Sequence, residues 1–547
     1  MLKKILILCA CATLTACGSN TEEKNTSRFD AAGTLSNGGI FVSASIGEAS
    51  NLIPWTTGDA SSHAVSGRIY RGMLKYDKNL NLVPDMAQSF SISADNLSIT
   101  FKLNQDITWT DGKPFTAHDV MASYNTMVDD NTRTPYSGDY KLVTKAEVLD
   151  DYTFKVHYSE PFAPALSSWT LAILPKHMLD GQDINDSTLK ESPVGSGAYM
   201  LKKWKRGEEI VLESNPSFNE GEAPITTLRT RLIPDVDTQF LELKAGNIDT
   251  MGLKPLQFTR LTNSAQFTNR YAKYKYLSNG YTYMGFNLKN PLFASKEVRQ
   301  ALSYAIPRDE IIQGVLMGQG LPMAGVFKPG TWPYNDALKP YPFNATKAKE
   351  MLTQEGWTDS NNDGILDKKI NGVLTAFEFT VVTNQGNDLR KMTAELMQRY
   401  FSEVGVKMNI NVQEWSSFIQ NTINKRQFDA FILGWSLSPE PDPYDIWHSS
   451  KTKPSEFNIV GFSNKKADEL MEKARRTFNQ EERKIYLDEF QEILHDQQPY
   501  LFLYAPYSLS TVHKRVKGIE EAPAGIGHNQ EKWYIPESQR IRPSISQ

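Results

Sequence analysis

Three apolar stretches, FEFTVVT at residues 377–383, VKMNINV at 406–412 and FDAFILGW at 428–435, decide the fold of this chain. Each has the length of a β-strand, and the segments between them have the apolar spacing of helices. This alternation of strands and helices predicts parallel strands whose crossover helices cover the faces of the sheet. Residues 431–433 are apolar without alternation, which is typical of a strand buried on both sides. We therefore predict an α/β protein.

The helices around these strands are predicted from apolar spacing and capping residues. Leu389, Met392, Leu396 and Tyr400 form one apolar face, and Gly405 suits the C-terminus of that helix. The same signals predict further helices over residues 415–426, from Ser463 to Phe478, from Asn479 to Pro499, after Ser295, and from Pro307.

The first half of the chain is richer in strands that bury only one face. Apolar side chains at alternate positions indicate such strands because successive side chains of a strand point to opposite faces. These positions are Ile99, Phe101 and Leu103, then Tyr152, Phe154, Val156 and Tyr158, and later Ile210 and Leu212.

The N-terminus is similar to the lipobox region of bacterial lipoproteins. Lys3 and Lys4 precede a short apolar run, which ends in LTAC at residues 14–17. We predict a signal peptide over residues 1–16, a lipid on Cys17 and a polar tether over residues 17–34. An ordinary signal peptide that contains cysteines is the alternative. The predicted location is extracytoplasmic, on a lipid anchor at a bacterial membrane, either the periplasmic side or the cell surface.

Composition excludes several classes of function. No cysteine follows Cys17, so the exported part forms neither disulfides nor thiolate metal sites, and it contains no cysteine nucleophile. Removal of Lys3 and Lys4 with the signal peptide lowers the formal charge from -4 to -6. The charges are mixed along the chain, which argues against a nucleic-acid partner. The exported length is sufficient for two or three domains.

The loop after the third apolar stretch is the best candidate for binding. Ligands bind at the carboxyl ends of parallel strands, because loop backbone groups are left unpaired there. Residues 436–443 contain three prolines, which fix the backbone and lower the entropy lost on ligand capture. Trp435 offers an apolar platform beside Glu440 and Asp442. A stiff surface turn with a core tryptophan and solvated acids is an equally good interpretation of this loop.

Several motifs together resemble one family. The longest covers residues 94–120 and includes SITFKLNQDITWTDGKPFTAHDV at 98–120. Shorter matches are NLIP at 51–54 through YD at 76–77, SPVGSGAY at 192–199, FN at 286–287 through VRQAL at 298–302, and DPY at 442–444. These motifs resemble family 5 of the bacterial extracellular solute-binding proteins, the binding components of oligopeptide, dipeptide and nickel ABC importers. The resemblance covers about residues 38–540.

The resemblance implies a type II periplasmic-binding fold with two lobes that close about a hinge. The first lobe would comprise residues 35–280 and 506–547, with an extra subdomain at about 71–189. The second lobe would comprise residues 281–505, which contain the predicted parallel sheet.

The resemblance also implies which residues contact the ligand. In peptide binders of this family, an acidic residue shortly after the Gly-Trp pair holds the α-amino group of the peptide. The alignment places Ser438 at that position, so Glu440 or Asp442 would have to supply the charge. The complete set of predicted ligand contacts is Thr57, Asp59, Ser61, Gly197, Tyr283, Trp435, Ser436, Ser438, Glu440 and Asp442. Turn and core packing without a ligand is the alternative role for these residues.

A second motif has the oxygen spacing of a calcium loop. Its candidate ligands are Asp359, Asn361, Asp363, Ile365 and Asp367. The twelfth position is Ile370, where a calcium loop needs a bidentate glutamate, so only weak Ca²⁺ binding is expected. A turn rich in Asx residues is the alternative. No other cofactor is predicted.

The leading functional hypothesis is a monomeric receptor that captures a peptide between its lobes and delivers it to an ABC permease. Closure is the proposed mechanism, because a ligand that contacts both lobes favours the closed form. A nickel chelate, an oligosaccharide or another non-peptide cargo is the alternative within this class. A hydrolase that uses Glu440 and Asp442 as paired carboxylates is the alternative from another class, although no catalytic motif supports an enzyme.

Overall fold

The computed structural model of this chain describes residues 37–540. The predicted signal peptide, the lipidated Cys17 and the tether to residue 34 lie outside the described residues. Within residues 37–540, no helix has the length and hydrophobicity needed to span a bilayer.

The strands, in chain order, are β1 Ile40–Ser45, β2 Leu74–Tyr76, β3 Leu82–Pro84, β4 Ala87–Ile92, β5 Ser98–Leu103, β6 Val143–Asp150, β7 Thr153–Tyr158, β8 Tyr199–Lys205, β9 Glu209–Ser214, β10 Thr227–Leu232, β11 Thr250–Gly252, β12 Tyr271–Leu277, β13 Gly280–Phe286, β14 Gly320–Pro322, β15 Asp367–Ile370, β16 Val373–Ala376, β17 Glu378–Asn384, β18 Lys407–Gln413, β19 Ala430–Ser436 and β20 Tyr500–His513.

The α-helices are α1 Ala60–Ile69, α2 Ala117–Val128, α3 Ser137–Tyr140, α4 Ala165–Ser168, α5 Lys176–Leu179, α6 Val236–Ala245, α7 Ala265–Arg270, α8 Lys296–Tyr304, α9 Arg308–Glu310, α10 Ala345–Gln354, α11 Asp388–Glu403, α12 Trp415–Ser417, α13 Tyr444–Trp447, α14 Lys465–Arg476 and α15 Gln480–Gln497. Short 3₁₀ turns cover Ile184–Asp186, Thr188–Lys190, Pro291–Phe293, Gly527–Lys532 and Glu537–Gln539, and π turns cover Gln257–Leu261, Ile311–Val315 and Phe418–Ile423.

The predicted parallel unit is confirmed. Strand β17 lies between β18 and β19 and is parallel to both, whereas β19 pairs with β13 in the antiparallel sense. Phe431 and Ile432 are fully buried on β19, as expected for a strand covered on both faces. Helix α11 connects β17 to β18; it is capped by Asn387 and is followed by Gly405 with φ +80°. That positive φ is accessible to glycine at little cost, which explains why the helix ends there.

The half-buried strands predicted in the first half of the chain are also confirmed. Strands β4, β5, β7 and β6 form one antiparallel sheet, and β1, β10, β9 and β8 form another in which β1 is parallel to β10. Ile99, Phe101 and Leu103 are buried on one face of β5, while Lys102 between them is exposed. Each sheet therefore has an apolar face packed on the core and a face toward solvent.

Strand β20 connects the two halves of the molecule. Its first residues pair with β13 up to Tyr504, and its later residues pair with β12 from Tyr507. The chain crosses between these partners at residues 278–279 and again at 505–506, and the predicted boundaries at 280/281 and 505/506, which stay predictions, are close to these crossings. We define the second lobe as residues 281–505, and the first lobe as the described residues 37–280 and 506–540. Two neighbouring crossings are the geometry of a two-stranded hinge.

Candidate functional site

The site is built on the loop of residues 436–443, which follows β19. Its start is fixed at the crossing between the lobes, because Leu437 N donates to Asn279 O at 2.8 Å and Asn279 Nδ2 donates to Leu437 O at 2.7 Å. Its end is fixed where Tyr444 N donates to Asp442 Oδ1 at 3.1 Å. Trp435 is partly buried, and Ser436 and Ser438 are exposed. The loop is therefore held at both ends, and it lies at the carboxyl end of a parallel strand, as predicted.

An aromatic contact closes the first lobe over this loop. The ring of Phe457 lies edge-on to Trp435, with 5.5 Å between ring centroids, and at the same distance from the ring of Tyr136 in the first lobe. A Cβ atom on Gly58 would lie 2.8 Å from the Phe457 ring, so the loop before α1 also touches it closely. The two lobes are thus in contact around Trp435.

A set of buried charges surrounds the loop, and we call these seven residues the charged cluster. The second lobe contributes three ion pairs: Glu440 to Arg483 at 2.5 Å, Asp442 to Arg475 at 3.0 Å, and Asp445 to Lys451 at 2.7 Å. The first lobe contributes the seventh residue, Asp139, whose carboxylate also contacts Arg475. Both arginine side chains are 7% exposed, so these pairs are largely shielded from water.

The hydrogen bonds of the charged cluster are incomplete. Glu440 Oε1, Arg475 Nε and Arg483 Nη2 are buried at ion-pair distances but lack an aligned hydrogen-bond partner. Burial, followed by repulsion from Asp445, raises the pKa of Asp442 to about 7. Burial also lowers the pKa of Arg475 to about 9, with a further contribution from Arg483. Ion pairs that are not aligned as hydrogen bonds are weaker than aligned ones, so a polar ligand that bonds to these groups would add to their stabilisation.

The predicted contacts in the first lobe have a structural role in this arrangement. Asp59 is 3% exposed and caps α1, because its Oδ1 accepts from Ser62 N at 2.9 Å. Its Oδ2 accepts from the hydroxyls of Ser50, Thr57 and Ser62. Thr57 is buried in the same network, whereas Ser61 is partly exposed at the start of α1. The polar atoms of Asp59 and Thr57 are directed into this network, and their contact with a ligand stays a prediction.

Gly197 and Tyr283 are both buried by close packing. A Cβ atom on Gly197 would lie 2.4 Å from the carbonyl oxygen of Arg68, so this glycine permits close packing against the end of α1. Tyr283 is fully buried, with its ring stacked at 3.9 Å from that of Tyr500. Packing in the sheet core explains this position, because β13 is covered on both faces.

The calcium-like loop directs its side chains to its own backbone. Asp359 accepts from the amides of Asp363 and Gly364, and Asp363 accepts from the amide of Ile365. Asp367 is buried and accepts from Ser360 N at 3.0 Å. The carboxamide of Asn361 forms hydrogen bonds with Asp363 in the same way. These contacts fit the turn interpretation, and in the described part of the chain no group of three or more metal-binding side chains is placed to hold an ion.

Sequence reasoning missed Arg390, which lies next to the start of the ligand loop. Its Nη1 donates to Asn384 Oδ1 at 2.8 Å, and its Nη2 lies 2.9 Å from where a Cβ on Gly434 would be. Among residues 37–540, no carboxylate lies within ion-pair distance of Arg390, and burial lowers its pKa. A partly exposed guanidinium without an acidic partner is a candidate contact for a ligand carboxylate. The helical pattern of α11 gave no signal for this role.

The sequence also matches known proteins. A family model described as bacterial extracellular solute-binding proteins, family 5 (middle), matches residues 81–457. The oligopeptide-binding protein AppA of Bacillus subtilis is 33% identical over 95% of this chain and 96% of its own length.

Solved structures agree with the sequence comparison. The structure of AppA from Bacillus subtilis in complex with a nonapeptide is similar at TM-score 0.86 and 30% identity, over 91% of this chain and 99% of that one. The structure of NikZ from Campylobacter jejuni in complex with Ni(L-His) is similar at TM-score 0.80 and 26% identity, over 90% of this chain and 99% of that one. The predicted α/β fold is confirmed.

Proposed function

The chain belongs to family 5 of the bacterial extracellular solute-binding proteins, and on this premise we propose that it captures a peptide between its lobes and delivers it to an ABC importer. The observation that carries the proposal is the incomplete hydrogen bonding around the loop of residues 436–443, where both lobes meet. A peptide main chain supplies both donors and acceptors, so it suits a site where carboxylates and guanidinium groups are paired by charge but are not aligned as hydrogen bonds. The similarity to AppA supports the same cargo class.

The charges at the site suggest how the two ends of a peptide are held. The carboxylate of Asp442 lies in a crowded acidic environment and suits the ammonium end. The guanidinium of Arg390 lacks an acidic partner and suits a carboxylate. Recognition of opposite charges at separate points would orient the peptide in the cleft.

Two alternatives have less support. NikZ, a protein of similar structure, was solved in complex with the metal chelate Ni(L-His), so the binding experiment includes non-peptide cargo. A hydrolase would need Glu440 and Asp442 as acid and base. Each of these carboxylates forms an ion pair with an arginine of the second lobe, and the family to which the chain belongs comprises solute-binding proteins.

Calorimetric titration of the full chain in mild detergent with a mixed peptide pool, followed by mass spectrometry of retained ligands, tests the function. We expect retained peptides and no measurable heat from nickel-histidine or oligosaccharides. The variant Asp442→Asn should weaken binding about thirtyfold, since a charged hydrogen bond contributes about 2 kcal/mol. The exposed control Asp336→Asn should bind like the wild type. Retention of chelates or sugars alone would reject the peptide assignment.

The lipid anchor at Cys17 is part of the same proposal. A tethered receptor stays close to its permease, and several acyl chains would hold it at the membrane. Cells that express Cys17→Ser should release the protein from the membrane fraction, and mass spectrometry of the wild type should show a lipidated residue 17. An unmodified wild-type terminus would reject the anchor without affecting the binding proposal.

A further inference from the structure

The residues that the second lobe contributes to the charged cluster have a net charge of zero, and the residue from the first lobe adds a negative charge. The second lobe contributes three carboxylates and three cations, which are Glu440, Asp442, Asp445, Lys451, Arg475 and Arg483. Contact with the first lobe adds the carboxylate of Asp139 and no further cation. With all groups ionised, lobe contact therefore produces one uncompensated negative charge in a largely buried place. Such a charge is unfavourable unless another cation enters.

Arg475 is the residue that joins the two halves of the cluster. Its Nε lies 3.0 Å from Asp442 Oδ2, and its Nη2 contacts Asp139 Oδ1. The guanidinium is further enclosed by the ring of Phe162 in the first lobe and the ring of Tyr444 beside the loop. Its own carbonyl accepts from Ala163 N at 2.7 Å. The first lobe thus contacts Arg475 in three ways: through a main-chain hydrogen bond, through the ring of Phe162 and through the carboxylate of Asp139.

Sharing of one guanidinium weakens what it gives to each carboxylate. When Asp139 contacts Arg475, the single positive charge of Arg475 is shared between the carboxylates of Asp139 and Asp442. The contact between Arg475 Nε and Asp442 Oδ2 is also not aligned as a hydrogen bond, which weakens it further.

We propose that Asp139 is a positioning residue that makes recognition of a ligand cation depend on lobe closure. Closure brings Asp139 to Arg475, leaves Asp442 short of one positive charge, and so creates the site for the ligand ammonium. The ligand then stabilises the closed form by its higher affinity for that form. This inference rests on the proposed function and adds to it one residue, Asp139 of the first lobe, that makes the loop's selection of a charged peptide end depend on contact between the lobes.

The test compares one peptide in two forms. The peptide retained most tightly from the pool is synthesised with a free and with an acetylated amino terminus, and both are titrated against the full chain. We expect the wild type to prefer the free amine by at least tenfold. The variants Asp139→Asn and Asp139→Ser should reduce that preference to about threefold or less, and Asp139→Glu should restore it. Melting curves verify that each variant is folded.

Glu160→Gln is the matched control. Glu160 also pairs across the lobes, at 2.8 Å from Arg476, but both side chains are nearly half exposed, so its removal should leave the preference unchanged. Equal affinity of the wild type for both peptide forms, or full preference in Asp139→Asn, would overturn the inference while the peptide assignment stands. Absence of binding to either form would instead reject the proposed function. Where Asp139→Asn is unstable, the ratio measured for Asp139→Ser decides whether the preference depends on Asp139.

Discussion

Two carboxylates at the boundary between the lobes have opposite surroundings. Asp59 is 3% exposed and accepts four hydrogen bonds from neutral donors of its own segment: three hydroxyls and one amide. Asp442 is also largely buried, but its main partner is Arg475, which it shares with Asp139. Asp59 is thus satisfied by residues close in sequence, whereas Asp442 depends on distant charges.

The contrast separates a structural carboxylate from a functional one. Neutral donors that come from the same turn stabilise an ionised carboxylate without any need for a ligand, and they fix the local backbone. Charges that must be shared leave the group sensitive to any further ion. Both residues are predicted ligand contacts, and their surroundings favour that role more strongly for Asp442 than for Asp59.

The largest effect is expected from Asp59→Ala. Loss of the cap and of three hydroxyl partners should lower the free energy of unfolding by about 3 kcal/mol, because buried donors are left without an acceptor. Thermal unfolding followed by circular dichroism measures this change. Asp59→Asn, which keeps a capping side chain, should lose less. Peptide affinity per folded molecule should stay within about twofold for both variants, as for any cap distant from the ligand. A variant that melts normally but fails to bind would support the prediction of a ligand contact.

Much of the fold was predictable because its signals are local. Apolar runs, Gly405 and the caps at Ser295 and Asn479 specify their elements directly, and the structure confirms them. One helix start differs: α14 begins at Lys465 because Asn464, and not Ser463, accepts from the amide of Ala467. Two adjacent polar residues compete for such a cap, and sequence does not rank them.

The site was less predictable because its partners are far apart in sequence. Asp139 and Arg475 are separated by 336 positions, and no local pattern links them. Asp59 shows a second limit: the sequence predicts a ligand contact there, but it does not show that the hydroxyls of Ser50 and Ser62 donate to this carboxylate. Residues that act through long-range charge pairing need the tertiary structure before their role can be assigned.

Arg390 extends the comparison to cations and should give the next largest effect. Arg299 is a buried arginine saturated by backbone carbonyls, for example those of Phe293 and Gln497, whereas Arg390 donates to the side chain of Asn384. Arg390→Gln should weaken binding of a free-carboxylate peptide about tenfold and leave an amidated peptide unaffected. Parallel titrations of both peptides measure the difference. The exposed neighbour variant Lys391→Gln serves as control, and equal losses for both peptides would contradict a carboxylate contact.

The pH dependence of binding sharpens the same contrast. The pKa of Asp442 is raised from 3.8 to about 7. Between pH 3.8 and about pH 7, this carboxyl group is therefore protonated in the folded ligand-free chain and ionised in the unfolded chain. This group's contribution to ligand-free stability therefore decreases as pH rises through that window. Binding of an ammonium needs the ionised form, so affinity should fall about eightfold from about pH 7.5 to about pH 6. Calorimetry at several pH values measures it, and Asp442→Asn should remove the dependence.

The smallest effect is expected at the calcium-like loop, which resembles the surroundings of Asp59. Its carboxylates accept amides of their own turn, for example from Asp363 and Gly364 to Asp359, and therefore need no ion. Millimolar Ca²⁺ or a chelator should shift the melting temperature by less than about 1 °C, since a ligand stabilises only by binding the folded state. Ile370→Glu supplies the missing twelfth oxygen ligand and should introduce a calcium-dependent shift. A clear shift of the wild-type melting temperature would show that carboxylates with local amide donors still bind ions. Local hydrogen bonds would then not suffice to distinguish a structural carboxylate such as Asp59 from a ligand-binding one.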